Sequence, residues 1–219
     1  MNSGSDHPSE AGSDLASRQS PPCLFVPGDY FRRLGPGEIF DDGAPLEIDL
    51  GCGDGSFLVD LARALPEHRF LGVERLLGRA RKVCRKTARA GLGNLRVLRL
   101  ESRYTVEWLL PPASVRRLHL LCPDPWPKAR HHKRRIIQPE FLAALARVLE
   151  PGGEFLFKSD DADYFEWALE CLATCPDLEP IPWPEDAFFY PKTDFERQWL
   201  AEGRIIQRLR CRRTQGHSR

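Results

Sequence analysis

The chain has 219 residues, of which 42% are hydrophobic and 29% charged, and its formal net charge at pH 7 is +1. This length allows one domain with a sizeable core, and the composition is that of a soluble globular protein. No segment reaches the roughly 18 consecutive apolar residues of a membrane-spanning helix. Residues 1–20 lack the basic start and apolar middle of a signal peptide. We therefore expect a disordered tail over 1–20 and a cytoplasmic protein without membrane contact.

Seven cysteines are scattered along the chain. Their odd number, and the apolar runs in which several of them lie, indicate free thiols in a reducing compartment. Cys171 and Cys175 have C-x-x-x-C spacing without a third partner nearby, which does not match metal or iron–sulfur sites. We therefore predict that the protein binds no metal.

The small net charge conceals a strongly basic middle segment. Residues 75–135 hold 17 basic and 3 acidic side chains, a net charge of +14, whereas the segments before and after carry −8 and −5. A basic region of this density is typical of proteins that bind a polyanion.

The pattern from residue 46 to residue 100 predicts alternating strands and helices. In order, it predicts a strand over 46–50, a glycine turn over 51–55, a helix over 57–65 with Ser56 as N-cap, a strand over 69–74, a helix over 76–90 and a strand over 95–100. In the second helix Arg79, Lys82, Lys86 and Arg89 lie on a different face from the apolar residues. That face is either a surface for a polyanion or an ordinary solvated one.

The glycine turn favours a nucleotide-like ligand, because glycine lets the backbone approach such a ligand closely. Dinucleotide-binding folds carry G-x-G-x-x-G, but after Gly51 and Gly53 the third glycine position is Ser56. Glu74 ends the next strand, 21 residues after Gly53, where an acid can accept both ribose hydroxyls of an adenosine. A ligand without a pyrophosphate fits this pattern best.

Residues 115–122 predict a buried strand, and the segment that follows it carries unusual chemistry. Asp124 and Trp126 stand at the end of this strand, and a dense basic block extends from residue 128 to residue 135. A carboxylate beside an aromatic ring and a cationic strip indicates chemistry on a nucleobase within a polynucleotide. The alternative is a solvated basic loop.

The second half of the chain continues the alternation. It predicts helices over 139–149 and 162–174 and strands over 154–158 and 204–210. Strands that alternate with helices indicate βαβ units and a parallel sheet, in which ligands bind at the carboxyl ends of the strands. We predict a single domain over residues 21–219.

With both halves in view, the chain resembles the bacterial tRNA (guanine-N7-)-methyltransferase family from about residue 46 to residue 211. The segment PDPWPKARHHKRRIIQPEFL (123–142) is the most specific part. Further matches are LEIDLGCGDG (46–55) with LGVE (71–74), FKSDDADYFEWALE (157–170) and TDFE (193–196). The resemblance implies an α/β, Rossmann-like class I methyltransferase fold with a mostly parallel seven-stranded sheet and helices on both faces.

The resemblance also implies a reaction and its residues. A methyl group would pass from S-adenosylmethionine to N7 of a guanosine in the tRNA variable loop, in a monomer or homodimer. The cofactor site would comprise Glu47, Gly51, Gly53, Glu74, Glu101 and Asp124. The substrate nucleotide would be held by Lys128, Asp160, Thr193, Asp194, Phe195 and Glu196, and RNA phosphates by Arg130, Lys133, Arg134 and Arg135.

Guanine N7 carries a lone pair and no proton, so the reaction needs no general base. Asp124 would therefore act by positioning the base or by stabilising its developing positive charge. Two other functions stay open from the sequence. The chain could methylate another base position, such as an exocyclic amine, or it could be a non-catalytic RNA-binding module.

Overall fold

Eight strands form one sheet in the computed structural model, which describes residues 23–214. They are β1 (Leu24–Phe25), β2 (Leu46–Leu50), β3 (Arg69–Val73), β4 (Leu95–Leu98), β5 (Val115–Leu121), β6 (Leu149–Ser159), β7 (Leu178–Ile181) and β8 (Gln207–Arg213). Their spatial order is β1-β4-β3-β2-β5-β6-β8-β7. The tail predicted over residues 1–20 lies outside the described part of the chain.

Six α-helices connect the strands over residues 23–214. They are α1 (Ser56–Ala64), α2 (Leu77–Arg89), α3 (Ser102–Tyr104), α4 (Pro139–Val148), α5 (Ala162–Ala173) and α6 (Asp194–Ala201). A π-helical turn (Thr105–Leu109) follows α3, and a 3-10 turn (Ala129–Arg134) lies within the basic segment. Over residues 23–214, no helix is long and apolar enough to cross a membrane.

The sheet is mostly parallel, as predicted. Strands β1 to β6 run parallel to one another, and β8 pairs antiparallel with β6 on one side and β7 on the other. The predicted count of seven strands is wrong by one. The additional strand is β1, whose two residues pair with Val97 and Leu98 of β4. Two residues are too few to show a period-two pattern.

Helices cover both faces of the sheet, which confirms the predicted layering. Neighbouring residues of β3 point to opposite faces, so Phe70 belongs to the core cluster that includes residues of α1 and α2, whereas Leu71 belongs to the one that includes residues of α4 and α5. One helix start differs from the prediction. The N-cap of α1 is Gly55 in a left-handed conformation, and Ser56 is already the first helical residue.

Several further boundaries differ from the prediction. Strand β6 begins at Leu149, five residues early, because Val115 of β5 pairs with Leu149 across a register shift. Strand β8 lies three residues later than predicted. The sequence pattern predicts neither β7 nor α6.

Candidate functional site

A cavity of about 1030 Å³ opens at the carboxyl ends of the parallel strands. The loops after β2, β3, β4, β5 and β6 contribute to its lining, and the start of α6 closes one side. Ten residues predicted for the site line it, namely Gly51, Gly53, Glu74, Glu101, Asp124, Arg134, Asp160, Thr193, Asp194 and Phe195. The structure thus brings together segments up to 144 positions apart in the chain, from Gly51 to Phe195.

The glycine turn after β2 forms the floor of this cavity. Gly51 and Gly53 have φ angles of 77° and 58°, in the left-handed region that favours glycine. The turn is held by Val73, whose carbonyl oxygen accepts hydrogen bonds from the backbone N–H groups of Gly51 (2.8 Å) and Cys52 (3.0 Å). A Cβ atom on Gly51 would meet no atom within 4 Å, so the turn leaves its open side to a ligand.

Two buried carboxylates, Asp49 and Glu74, line the cavity beside the glycine turn. The Oε1 atom of Glu74 accepts a hydrogen bond of 2.7 Å from the backbone of Leu76, which fixes the carboxylate at the end of β3. Burial, followed by the nearby charge of Glu74, raises the pKa of Asp49 to about 8. Such a pair repels phosphate and favours a ligand with hydroxyl donors and positive charge.

Glu47 lies outside the cavity, which corrects the prediction for this residue. It is fully buried two positions before Asp49 on the same strand face, where His119, Arg117 and His68 contact its carboxylate at 3.0, 3.2 and 2.8 Å. Burial alone would raise the pKa of Glu47, but these hydrogen bonds and charges hold it at about 2. Strand alternation is the signal that sequence reasoning missed. Glu47 and Asp49 lie on one face of β2, and Asp49, which is nearer to the glycine turn, is the one that reaches the cavity.

The Glu47 network anchors the segment that leads into α6. The Nδ1 atom of His119 is 2.8 Å from the Tyr190 hydroxyl, and Tyr190 packs against Phe57 and Trp183. Burial lowers the pKa of His119 despite the neighbouring Glu47. A neutral His119 therefore accepts from Tyr190 and donates to Glu47, which fixes the chain shortly before Thr193.

Glu101, after β4, and Asp124, after β5, also line the cavity. Glu101 is the N-cap of α3, where its Oε2 atom accepts a hydrogen bond of 2.7 Å from the backbone of Tyr104. Asp124 is exposed, and its side chain makes no hydrogen bond or ion pair to any residue between 23 and 214. Its carboxylate is therefore available to a ligand.

Trp126 lies beside Asp124 with one side covered by protein. The Arg134 guanidinium lies 4.9 Å from the centre of its ring, and His131 contacts it edge-on. The φ angle of Trp126 is 48°, a left-handed backbone conformation that is rare for an aromatic residue. Strained backbone of this kind persists where surrounding structure fixes it, commonly at ligand sites.

The basic segment divides into exposed and buried side chains. Lys128, Arg130 and Lys133 are exposed but outside the cavity lining, whereas Arg134 is exposed and lines it. Arg135 is different, and the prediction that it contacts RNA phosphates is wrong. Its side chain is fully buried, pairs with Asp163, donates to the Pro125 carbonyl at 2.9 Å and lies over the rings of Tyr164 and Trp167.

The start of α6 brings the predicted TDFE segment to the cavity. Thr193 is the N-cap of α6, and its Oγ1 atom accepts from the backbone of Glu196 at 3.0 Å. Asp194 accepts a hydrogen bond of 2.8 Å from the Ser56 hydroxyl at the start of α1. Phe195 is 55% exposed and stacks on Trp199, a cavity residue that sequence reasoning missed although it lies one helical turn further on.

Of the predicted substrate residues Asp160 and Glu196, only the first lines the cavity. Asp160 lines the cavity, 3.4 Å from an Arg204 nitrogen. Glu196 is buried outside the lining and pairs with Lys158 at 2.7 Å, so it anchors α6 to β6. In residues 23–214 no group of three His, Cys, Asp or Glu side chains is placed to hold a metal ion.

The sheet order, the glycine turn after β2 and the acids at the following strand ends define a Rossmann-like methyltransferase fold. Solved methyltransferases share it at low identity. The 16S rRNA methyltransferase KamB is 21% identical with a TM-score of 0.55, over 78% of this chain and 88% of that one. An O-methyltransferase from Thermotoga maritima is 17% identical with a TM-score of 0.55, over 80% and 62%.

Sequence comparisons identify the family. A family model described as a putative methyltransferase matches residues 43–209. The tRNA (guanine-N(7)-)-methyltransferase of Halorhodospira halophila is 42% identical over 78% of each chain, and that of Syntrophotalea carbinolica 37% identical over 82% of this chain and 79% of its own. The tRNA (guanine-N(7)-)-methyltransferase of Nitrobacter winogradskyi is 37% identical over 92% of this chain and 80% of its own. The chain belongs to the tRNA (guanine-N(7)-)-methyltransferase family.

Proposed function

We propose that this protein transfers a methyl group from S-adenosylmethionine to N7 of a guanosine in the variable loop of tRNA. One observation carries the proposal. A single cavity joins the buried acids Asp49 and Glu74 to the exposed Asp124, with Arg134 at its margin. The relatives named above support the substrate. The working enzyme is proposed to be a cytoplasmic monomer or homodimer that uses no metal.

The residues beside the glycine turn fit S-adenosylmethionine. Gly51 and Gly53 allow the cofactor to approach the backbone closely, Glu74 accepts from the ribose hydroxyls, and Glu101 has one carboxylate oxygen left for the adenine edge. Asp49 stands where a carboxylate would balance the positive charge of the ligand. When bound, the cofactor supplies an electrophilic methyl group on a sulfonium. Because it has no pyrophosphate, the lack of a third glycine at Ser56 is no obstacle.

Asp124 is assigned to the reaction centre. N7 attacks the methyl group with a lone pair, so no residue needs to remove a proton, and the methylated purine gains positive charge. A fixed carboxylate at Asp124 would favour this charge, or would hold the base through donors on its edge. Asp124 therefore acts by electrostatics and alignment.

The wall formed by α6 and the end of β6 is assigned to the guanine. Asp160 can accept from the N1–H and amino groups, as carboxylates do for nucleobase donors, and Phe195 offers an exposed ring on which a base can stack. Thr193 and Asp194 set the position of this wall. Glu196 contributes indirectly by tying α6 to Lys158, and Lys128 stands outside the cavity, where it can reach a phosphate.

The decisive experiment is incubation with isotopically labelled S-adenosylmethionine and unmodified tRNA, followed by digestion and nucleoside analysis. We expect label in 7-methylguanosine at one position of the variable loop. Label in an N-methylated base would support the exocyclic-amine alternative. RNA binding without any transfer of label, or without binding of S-adenosylhomocysteine, would favour a non-catalytic module.

Asp124→Ala tests the assigned centre. We expect the single-turnover rate at saturating cofactor and tRNA to fall by about two orders of magnitude or more, as when one preorganised electrostatic group is removed. Asp124→Asn keeps the shape but not the charge. It should be nearly as slow if the charge stabilises the product, and faster than the alanine variant if Asp124 holds a donor. Asp41→Ala, an exposed acid outside the cavity, is the control. A parent-like rate for Asp124→Ala would remove it from the site.

A further inference from the structure

Four basic side chains of helix α2, and a fifth just before it, recur at helical spacing. Arg75, just before the helix, is followed by Arg79, Lys82, Lys86 and Arg89 at alternating steps of four and three residues. This spacing places Arg79, Lys82, Lys86 and Arg89 on one face of α2. Arg75 lies outside the helix and lines the same cavity as Arg79 and Lys82. The buried residues Ala80, Val83, Cys84 and Thr87 form another face, and Arg81 and Arg85 form a third. We call the five basic residues the α2 stripe.

The α2 stripe connects the main cavity with a second one. Arg75, Arg79 and Lys82 line the main cavity, whereas Lys86 and Arg89 line a smaller cavity of about 380 Å³ between α1, α2 and α6. Arg63 of α1, Arg197 of α6 and Asp60 also line the smaller cavity. Ser56 belongs to both linings, so the two cavities adjoin. The helix between them is about 20 Å long.

The stripe keeps a surplus of positive charge after its internal ion pairs are counted. Lys82 and Lys86 share Asp54 at 3.0 and 2.7 Å. In the part of the chain that the structure describes, Arg75, Arg79 and Arg89 make no ion pair, and α2 contains no acidic residue. Exposed arginines without carboxylate partners favour a phosphate-bearing partner.

In the smaller cavity, three of the four cations are partly neutralised, Lys86 by Asp54 and two others by neighbouring acids. Arg63 pairs with Asp60 at 3.3 Å, and Arg197 pairs with Asp194, which also accepts from Ser56. Arg89 is therefore the cation there that is most available to an external anion. The arrangement lets a polyanion run from the reaction centre past Arg79 to Arg89.

We propose that the α2 stripe and the adjoining smaller cavity bind the sugar-phosphate backbone of the tRNA, at a distance from the methylated guanosine. The inference rests on the proposed function for the identity of the RNA. The charges lie along a continuous line that leads out of the main cavity, and the line is too long for one nucleotide. The stripe therefore holds the flanking backbone and does not take part in the reaction.

The test compares two faces of one helix. Arg79→Gln/Arg89→Gln removes two stripe charges, and Arg81→Gln/Arg85→Gln removes two exposed charges that line neither cavity. Binding of unmodified tRNA is measured at several salt concentrations. The stripe variant should bind more weakly, with a log–log salt slope smaller by about 0.7 to 0.9 for each phosphate that it no longer neutralises. The control pair should keep the parent slope within about 0.3.

Further readouts separate this proposal from the proposed function. Arg89→Gln alone, which lines only the smaller cavity, should reduce the slope by about half as much as the double variant. In this Arg89→Gln variant, the affinity for S-adenosylhomocysteine and the single-turnover rate at saturating tRNA should match those of the parent, because Arg89 does not line the main cavity. Equal salt slopes for the stripe variant and the control variant would overturn the proposed role of the α2 stripe. Methyl transfer by the parent would still support the proposed function. If the stripe variant has a smaller salt slope than the parent, but the parent forms no 7-methylguanosine, only the proposed function would be overturned.

Discussion

At the scale of single residues, burial decides what each acid and base of the site can do. Asp49 and Glu47 lie on the same strand, yet one retains a proton at neutral pH and the other is held ionised by three basic neighbours. Arg134 and Arg135 are adjacent, yet one faces the cavity and the other is fully buried. Sequence shows the residue types, whereas burial is fixed by packing partners far away in the chain.

The raised pKa of Asp49 predicts a pH-dependent cost to stability. Burial, and then the charge of Glu74, raise this pKa to about 8 in the folded protein without cofactor, whereas the pKa of an aspartate in the unfolded chain is about 3.9. Between these two pH values the folded protein keeps a proton that the unfolded chain has released. Stability should therefore fall as pH rises from about 4 to 8. Urea unfolding should show Asp49→Asn to be more stable than the parent at pH 8, with a smaller difference at pH 5. An equal effect at both pH values would refute this assignment.

The same residue predicts proton release when the cofactor binds. A cationic ligand favours the ionised form of Asp49, so binding of S-adenosylmethionine at pH 7 should release up to about one proton. Calorimetry in two buffers of different ionisation enthalpy measures this number. Asp49→Asn should release less, and an unchanged release would show that the proton comes from another group.

Glu74 predicts a loss specific to the cofactor. Glu74→Ala removes charged acceptors for the ribose hydroxyls and should weaken binding of S-adenosylhomocysteine by about 1.5 to 3 kcal/mol, measured by calorimetry. The affinity for tRNA should stay unchanged. Glu67→Ala, an exposed acid outside the cavity, is the matched control. Equal cofactor affinity in Glu74→Ala and the parent would contradict the assignment of Glu74 to the ribose hydroxyls.

The adjacent arginines predict opposite phenotypes. Arg135→Ala removes a buried cation from Asp163 and two aromatic rings, and should lower the free energy of unfolding by about 2 to 3 kcal/mol. Arg134→Ala should change stability by less than about 0.5 kcal/mol but weaken tRNA binding. Urea unfolding and filter binding measure the two effects. A stable Arg135→Ala that binds tRNA poorly would restore the original prediction for Arg135.

At the scale of elements, the sequence predicts well those segments that pack against the core with a clear period. The helix α2 and the strands β2 and β3 are within two residues of their predicted bounds. The pattern fails for β1 and β7, which are short edge strands, and for α6, whose buried residue is the charged Glu196, paired with Lys158. These elements form because other parts of the chain meet them, which local periodicity cannot show.

The strand ends also explain which site residues could be predicted. Glu74, Glu101 and Asp124 each follow a strand with a clear pattern, so their common edge follows from the parallel topology. Asp49 requires knowledge of the strand face as well. The contact of α6 with the start of α1, through Asp194 and Ser56, depends on the anchor at Tyr190 and has no local signal.

At the scale of the whole molecule, charge is sorted around one cavity. Acids line the inner part near the glycine turn, and exposed cations occupy the loop after β5 and the α2 stripe. The small net charge of the chain is therefore compatible with a strong local field. A sulfonium cofactor and a polyanionic RNA can bind side by side because their charge preferences are separated.

This separation predicts that salt acts on one substrate only. Four phosphate contacts from the loop and the stripe would lower tRNA affinity about 50- to 150-fold between 50 and 200 mM salt. With subsaturating tRNA, kcat/KM should fall accordingly, whereas the single-turnover rate at saturating tRNA should stay constant. Cofactor affinity should change less than about twofold, because Asp49 and Glu74 are buried and poorly screened. A parallel loss of cofactor affinity would contradict the separation, as would a kcat/KM that does not respond to salt.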